Sequence, residues 1–338
     1  QLGPDGVELG REPGQLRPSQ PAAVQRHALF PPRTVAPDQP VEGLRIEKLV
    51  REHHRPVGQP RVAAGEVIER PSSVVKELLE NALDAKARTI HISTRGAGRH
   101  LIEVADDGEG IPPEELPIAV TRHATSKLSS AEDLSHILTL GFRGEALASI
   151  GSVSLLTLTS RTAQAEVGAR LQVDGGKIGE VQPTGAPQGT VVRIENLFYN
   201  VPARLKFLKS ELTERSLIDA LVTRYALAYP YVRFTLKQES RLSLQTSGNG
   251  NPREVLASLY GIDVAKQMLE IVFQDDFLEI TGFISPIAIT RSNRREITLF
   301  VNGRPVQDVG LSTALVQAYR NLLMVGRFPI GILLLKMN

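Results

Sequence analysis

The sequence predicts an α+β fold made of two successive α/β units, and three observations carry that expectation. An amphipathic helix reads over residues 71–86. Segments of apolar–polar alternation follow it, paired as a hairpin at 89–94 and 99–105 around Gly96-Ala-Gly98. The run Thr246-Ser-Gly-Asn-Gly-Asn-Pro252 then separates this region from a further set of helices and strands.

The helix organises the chain. Pro71 suits a first helical turn, Ser72 is placed to cap nearby donors, and no further Pro or Gly stands before Lys86. At about 100° per residue, Val74, Val75, Leu78, Leu79, Ala82 and Leu83 fall on one half of the cylinder. Ser73, Glu77, Glu80, Asn81 and Asp84 fall on the other, with Glu77 and Asn81 stacked one turn apart. Three carboxylates on one stripe repel one another unless water or a cation comes between them. The stripe reads as a solvated face or as a site.

Beyond the hairpin, Asp106-Asp-Gly-Glu-Gly110 forms a turn leading to a helix near 113–122. A second short helix closes at Ile150, and strands are expected over 153–159, 169–174, 178–182 and 190–195. A long helix at 211–228 and two strands ending near 247 complete the first unit. A helix, strands near 269–284 and 296–301, a helix near 309–323 and a last strand make the second. The organisation expected is thus an extension at 1–60, a first domain at 61–247 and a smaller domain at 248–338.

Composition narrows the classes. With 338 residues, 41% apolar and 22% charged, the chain can bury two cores. A formal net charge of +2 leaves nucleic-acid binding to a local patch. The absence of Cys excludes disulfides, thiolate metal sites and a Cys nucleophile. No apolar run reaches the length of a membrane span, and no secretory signal is visible, so an intracellular setting without a membrane is expected. Residues 1–42 are rich in Pro and Gly and lack apolar period, which predicts disorder.

Four stretches fit one chemistry together. Asp106 ends a strand at Gly108 and Gly110; a carboxylate there could accept from an exocyclic amine such as adenine's, or the stretch is a plain turn. Gly141-Phe-Arg-Gly144, followed by a helix, could offer unpaired amides to phosphate or be structural. It is not a Walker loop. Thr125, Ser126 and Lys127 could add hydroxyls and charge to the same phosphates. On the helix, the Asn81 oxygen suits Mg²⁺ and Glu77, kept basic by its acidic neighbours, suits the activation of a water.

The order Glu77-x-x-x-Asn81-x-x-Asp84-Ala85, Asp106-x-Gly108-x-Gly110, Gly141-x-x-Gly144 and Gly189-Thr190 resembles the GHKL ATPase superfamily. That group holds DNA gyrase, a chaperone family, sensor histidine kinases and the MutL mismatch-repair proteins. Longer strings resemble MutL: Ala63-Ala-Gly-Glu-Val-Ile-Glu-Arg-Pro71, Arg122-His-Ala-Thr-Ser-Lys127, Gly141-Phe-Arg-Gly-Glu-Ala-Leu147 and Leu197-Phe-Tyr-Asn-Val-Pro-Ala-Arg204. The likeness runs from about Val62 to Leu335.

The resemblance implies a Bergerat-type ATP-binding α/β sandwich followed by a domain like that of ribosomal protein S5. It implies ATP and Mg²⁺ as ligands, Glu77 as general base, Asn81 as metal ligand and Asp106 as reader of adenine. Gly110 would line the base, Thr190 would sit beside Asp106, and Thr125, Ser126 and Lys127 would touch phosphate. Gly141, Phe142, Arg143, Gly144, Glu145, Ala146 and Leu147 would form a lid that ATP closes as two copies dimerise. A MutS-like mismatch-recognition protein, DNA and downstream nucleases or helicases would be partners. Arg291, Arg294, Arg295 and Arg304 form a basic cluster suited to backbone phosphates. The expected location is cytoplasmic in a bacterium or nuclear in a eukaryote.

Two departures bear on this. Gln59-Pro60-Arg61 and the Pro/Arg-rich stretch stand where the family carries a segment that helps dimerisation. The resemblance also implies truncation after Asn338, before a lysine that reaches the γ-phosphate, so nucleotide is still expected to bind but hydrolysis to be weaker than in a complete protein. A topoisomerase- or chaperone-like ATPase would lack the 198–204 string, and a module that binds nucleotide or DNA without turnover is the third reading.

Overall fold

The computed structural model describes residues 68–121 and 145–337. The extension at 1–60 and most of the expected lid lie outside them. Helix α1 (Pro71–Asp84) begins on Pro71 at its first position, with Arg70 as N-cap. Ser72 is therefore already inside the helix, and the expected Ser72 cap gives way to this Pro-led start. Strands β1 (Thr89–Arg95) and β2 (Leu101–Asp106) pair antiparallel across a tight turn at Gly96–Gly98. The helix expected over 113–122 is a 3₁₀ turn, Pro113–Glu115, followed by a single turn α2 (Leu116–Ala119). Pro117 has no N–H to offer the Pro113 carbonyl, so a continuous helix cannot form there.

Helix α3 (Ala146–Gly151) leads into β3 (Leu155–Arg161) and β4 (Gly168–Asp174). The strand expected at 178–182 is instead two short pieces on β4, β5 (Lys177–Ile178) and β6 (Gln182–Thr184). Next come β7 (Gly189–Glu195), the short α4 (Pro202–Leu205) and α5 (Glu211–Ala228), whose Ser210 cap accepts from the Thr213 amide at 3.3 Å. Strands β8 (Arg233–Gln238) and β9 (Arg241–Gln245) follow. The second half contains α6 (Pro252–Tyr260), α7 (Ile262–Gln267), β10 (Leu269–Gln274), β11 (Leu278–Ile284), β12 (Thr290–Arg291), β13 (Ile297–Val301) and β14 (Arg304–Val306). It ends with α8 (Val309–Ala318), β15 (Phe328–Pro329) and β16 (Gly331–Met337). Among the described residues no helix is long and apolar enough to cross a membrane.

The first sheet runs β5-β4-β3-β7-β2-β1-β8-β9, with β6 also on β4. Its neighbours are antiparallel except β1 and β8, which are parallel. One face is apolar and packs under α1 and α5. The other is polar; there Arg193 bridges Glu103 at 2.9 Å and Glu195 at 3.0 Å. Such one-sided alternation is what an antiparallel sheet with a single covered face requires.

Register turns that face into rungs. One crosses Thr94, Ile102, Ile194, Leu156 and Val173; the next crosses Ile92, Val104, Val192, Leu158 and Leu171. All ten residues are buried. A third rung starts with Ile90 and ends with Ala169, but between them stand Asp106, Thr190 and Ser160. The apolar face thus ends in three adjacent polar side chains.

The second sheet runs β10-β11-β16-β13-β14. Helix α8 covers one face, where Ala314, Leu315 and Tyr319 meet Ile280, Leu299 and Leu333. Phe283, Phe300 and Ile332 on the other face join the same core as α1 and α5, so the apolar interior is continuous between the sheets. The hydroxyl of Tyr229, the C-cap of α5, donates to the Gly303 carbonyl at 3.0 Å, in the turn between β13 and β14.

The 197–204 string has a structural reason. Phe198 is fully buried at a φ of 68°, and its amide donates to Val153 at 2.7 Å. Arg204 stacks over its ring, 5.7 Å from the centroid, and donates to the Ile68 carbonyl at 2.9 Å, three residues ahead of α1. The string therefore ties the start of α1 to the sheet. Arg204→Ala removes a charged hydrogen bond and a ring contact, and is expected to cost about 1–3 kcal/mol. Urea unfolding checks this; an unchanged midpoint would show that the strap carries no load.

Candidate active site: a polar rung facing an acidic helix

The turn after β2 is built against the end of α1. The Glu109 amide donates to the Ala85 carbonyl at 3.0 Å, and the Ala85 amide to the Asn81 carbonyl at 2.9 Å. Asn81 thus stands one helical turn from the segment that holds Asp106. The glycines fit this close docking. A Cβ on Gly108 would meet the Ala85 carbonyl at 2.7 Å, and one on Gly110, at a φ of 75°, would meet the Arg161 carbonyl at 2.2 Å. Protein contacts alone thus require both glycines, a reason separate from the approach of a flat base that the sequence suggests.

The two aspartates of the turn have opposite tasks. Asp107 accepts from the amides of Arg88 at 2.7 Å and Thr89 at 2.8 Å. Burial opposes its charge, but these bonds outweigh it and hold the carboxyl below the usual range. Asp107 fastens the turn. Asp106 lies on the polar rung, and its Oδ1 accepts from the Gly108 amide at 2.9 Å. Burial pushes it up to about 6, against the pull of bonds from the Gly108 and Thr190 amides. A half-buried carboxyl with so raised a value is the kind of group found at functional sites.

Thr190 and Ser160 complete the rung. Both are buried, and their hydroxyls lie 2.9 Å apart. Ser160 is absent from the residues expected at the site, although alternation points to it. Leu156-x-Leu158-x-Ser160 places a hydroxyl where the face demands an apolar residue.

On α1 the structure corrects the helical wheel. Glu80, assigned to the open stripe, is 5% exposed. Helix α5 covers that flank, and the fully buried Tyr225 donates to Glu80 Oε1 at 2.6 Å. Lys76, which the motifs do not include, reaches Glu80 Oε2 at 3.2 Å and Glu77 Oε1 at 3.1 Å. The cation that a stripe of carboxylates calls for is therefore supplied by the helix itself. The near neighbour of Glu77 is thus an ammonium. Burial raises Glu80, with Lys76 and Tyr225 pulling the other way. Lys76 is held above its ordinary value because the two carboxylates outweigh the cost of burying it. Glu77 itself remains partly exposed, on the flank shared with Asn81.

Among the described residues no three His, Asp or Glu side chains gather into a metal cluster. A metal here would take its other ligands from phosphate and water. One amide oxygen, that of Asn81, fits such an ion, since Mg²⁺ keeps most of its shell outside the protein. Of the expected lid, Glu145 is the N-cap of α3, and Ala146 and Leu147 form its first turn. Thr125, Ser126, Lys127, Gly141, Phe142, Arg143 and Gly144 lie outside the described residues. In the second half, Arg294 stacks 5.3 Å over the Phe328 ring, and Arg291 lies on β12 opposite Phe328. Arg295 is exposed, and Arg304 opens β14 beside the Gly303 turn that docks on Tyr229.

Comparison with known proteins matches this geometry to a family. The family model for histidine kinase-, DNA gyrase B- and HSP90-like ATPases matches residues 68–195. That for the C-terminal domain of DNA mismatch repair proteins matches residues 256–338. The DNA mismatch repair protein MutL of Streptococcus equi subsp. zooepidemicus is 47% identical over 273 residues, covering 81% of this chain and 41% of that protein. The MutL protein of Lactococcus lactis subsp. cremoris is 48% identical over 278 residues, 82% of this chain and 42% of its own length. The chain thus spans about two-fifths of the curated relatives it matches. The Aquifex aeolicus MutL ATPase domain complexed with ADP superposes with a TM-score of 0.61 at 31% identity, covering 80% of this chain and 93% of that one. The expected α+β architecture is the one found, as a GHKL-type ATPase region followed by a C-terminal mismatch-repair domain, and the chain belongs to the MutL DNA mismatch-repair family.

Proposed function

We propose that the chain binds ATP with its adenine on the Asp106–Thr190 rung and its phosphates toward Glu77 and Asn81, and hydrolyses it. The observation that carries this is the polar rung closing an apolar sheet face, with the turn that bears it docked on the end of α1. Asp106 would accept from the 6-amino group, and Gly110 and Thr190 would border the base. Asn81 would hold Mg²⁺, which when bound would offset charge on the phosphate oxygens. Glu77 would take a proton from water as its oxygen attacks the terminal phosphorus, and ADP would depart as the bond to its β-phosphate oxygen breaks. Lys76, paired to Glu77 and Glu80, would hold the Glu77 carboxylate in place.

The remaining assignments complete this reading. Residues 61–247 would form the nucleotide domain and 248–338 the second domain, with 1–60 an extension. Thr125, Ser126 and Lys127 would touch phosphate, and 141–147 would close as a lid. In the longer protein, closure would pair two copies and pass the state of a MutS-like partner on DNA to nucleases or helicases, inside the cell. Arg291, Arg294, Arg295 and Arg304 would meet the DNA backbone.

Mg²⁺-dependent turnover by Glu77→Ala is expected to fall at least about a hundredfold with nucleotide binding kept; equal turnover in both proteins would remove Glu77 as the base. Asp106 gives a test with a pH signature. Its folded value of about 6 lies above its ordinary 3.8, so the folded state holds the extra proton between them. The stability this lends is complete below that window and is lost as pH rises through about 6. Asp106→Asn is expected to lose this pH dependence and to be no less stable than wild type at pH 7.5. Its affinity for ADP is expected to drop about tenfold to a hundredfold. Parallel pH-dependent unfolding and nucleotide titration check both, and unchanged ADP affinity would contradict the adenine assignment.

A further inference from the structure

Ser160 is 1% exposed, and nothing in the chemistry above uses it. Its Oγ has three polar neighbours: the Ile111 amide at 2.8 Å, the Gly189 carbonyl at 2.9 Å and Thr190 Oγ1 at 2.9 Å. A hydroxyl carries one proton and can accept two others. The Ile111 amide can only donate and the Gly189 carbonyl can only accept, so both of those bonds have a fixed direction. The Ser160 proton is thereby committed to Gly189. The contact with Thr190 then runs one way, with Thr190 donating and Ser160 accepting. Reversing it would set the Ser160 oxygen against the Gly189 carbonyl with no proton between them, in a buried place where an unpaired acceptor is costly. The Thr190 proton thus points along the rung toward Ser160, and lone pairs are what Oγ1 keeps for other partners.

Resting on the ATP reading, we propose that Ser160 is a specificity-determining residue that acts through Thr190. By taking the Thr190 proton it leaves an edge that only accepts, which receives the 6-amino group of an adenine nucleotide and refuses the 6-carbonyl of a hypoxanthine nucleotide. Asp106, the other member of that edge, also only accepts when ionised. A base seated with its 6-position there finds no donor. Adenine brings two protons to that place, whereas hypoxanthine brings lone pairs. A single bridging water would carry the same polarity. It would give one proton to Thr190 and the other to adenine N1, the atom that in hypoxanthine already bears hydrogen.

Equilibrium titration of the full chain with ADP and IDP tests this. Wild type is expected to prefer ADP. Ser160→Ala frees the Thr190 hydroxyl to turn and donate, so the ADP-to-IDP affinity ratio is expected to fall about tenfold. In a Thr190→Val background the same Ser160→Ala change is expected to leave the ratio where Thr190→Val put it. Should Ser160→Ala fail to fold, Ser160→Cys fills nearly the same space with a weaker donor and acceptor, and is expected to move the ratio the same way by less. Equal weakening of both nucleotides by the Ser160 change would reduce Ser160 to packing and overturn the proposal. So would a fall of the ratio that persists without the Thr190 hydroxyl. Failure of the ATP reading itself would look different, because wild type would then bind neither nucleotide.

Discussion

The register between β2, β7 and β3 is the constraint on which the candidate site depends. It sets Asp106 opposite Thr190 and Thr190 opposite Ser160, one rung beyond two rungs that are wholly apolar among their central members. A slip of one residue in any of these strands would turn its polar member to the open face and bring a half-buried side chain such as Val191 or Thr159 under the helices. The buried rungs forbid that slip, because it would expose Ile102, Val104, Val192, Ile194, Leu156 and Leu158 together. The hydrophobic core therefore fixes the place of three adjacent polar side chains. Partial burial on that rung pushes the Asp106 carboxyl up to about 6, against the pull of the Gly108 and Thr190 amides.

Helix α1 is held by a second device. Glu77 and Glu80 on one helix would repel, yet Lys76 stands within 3.2 Å of both, and Tyr225 takes the remaining oxygen of Glu80. Tyr225 stacks on Tyr229 with ring centres 6.3 Å apart, and Tyr229 bonds the turn between β13 and β14. The helix that bears Glu77 and Asn81 is thus braced from α5, and α5 in turn is joined to the second sheet. An exposed ion pair would contribute little, but this one shares a buried carboxylate whose hydrogen bonds are filled.

Much of this was legible in the sequence, and what was not has a common cause. The wheel of α1 named Val74, Val75, Leu78, Leu79, Ala82 and Leu83; the first five are at most 2% exposed, and Leu83 is half-buried. It failed at Glu80 because an angle about one axis says nothing of a second helix lying along that flank. Alternation found most strands of the first sheet, although the one expected over 153–159 stopped short of Ser160, and pairing partners are distant in sequence. Neither the parallel pairing of β1 with β8 nor the insertion of β16 between β11 and β13 has a local signature. Asp106 and Asp107 are alike as letters; their hydrogen-bond partners show that Asp107 fastens the turn to Arg88 and Thr89, whereas Asp106 accepts from Gly108 on the polar rung. The helix at 113–122 failed on local chemistry that was visible, since Pro117 removes the donor that a second turn needs.

The most direct measurement is a crystal structure of the chain with Mg²⁺ and a non-hydrolysable ATP analogue. The account predicts the adenine 6-amino group on the Asp106–Thr190 edge, directly or through one water, with the metal on the Asn81 oxygen and Glu77 facing the terminal phosphate. A nucleotide lodged elsewhere, with Glu77 and Asn81 turned to bulk solvent, would contradict it.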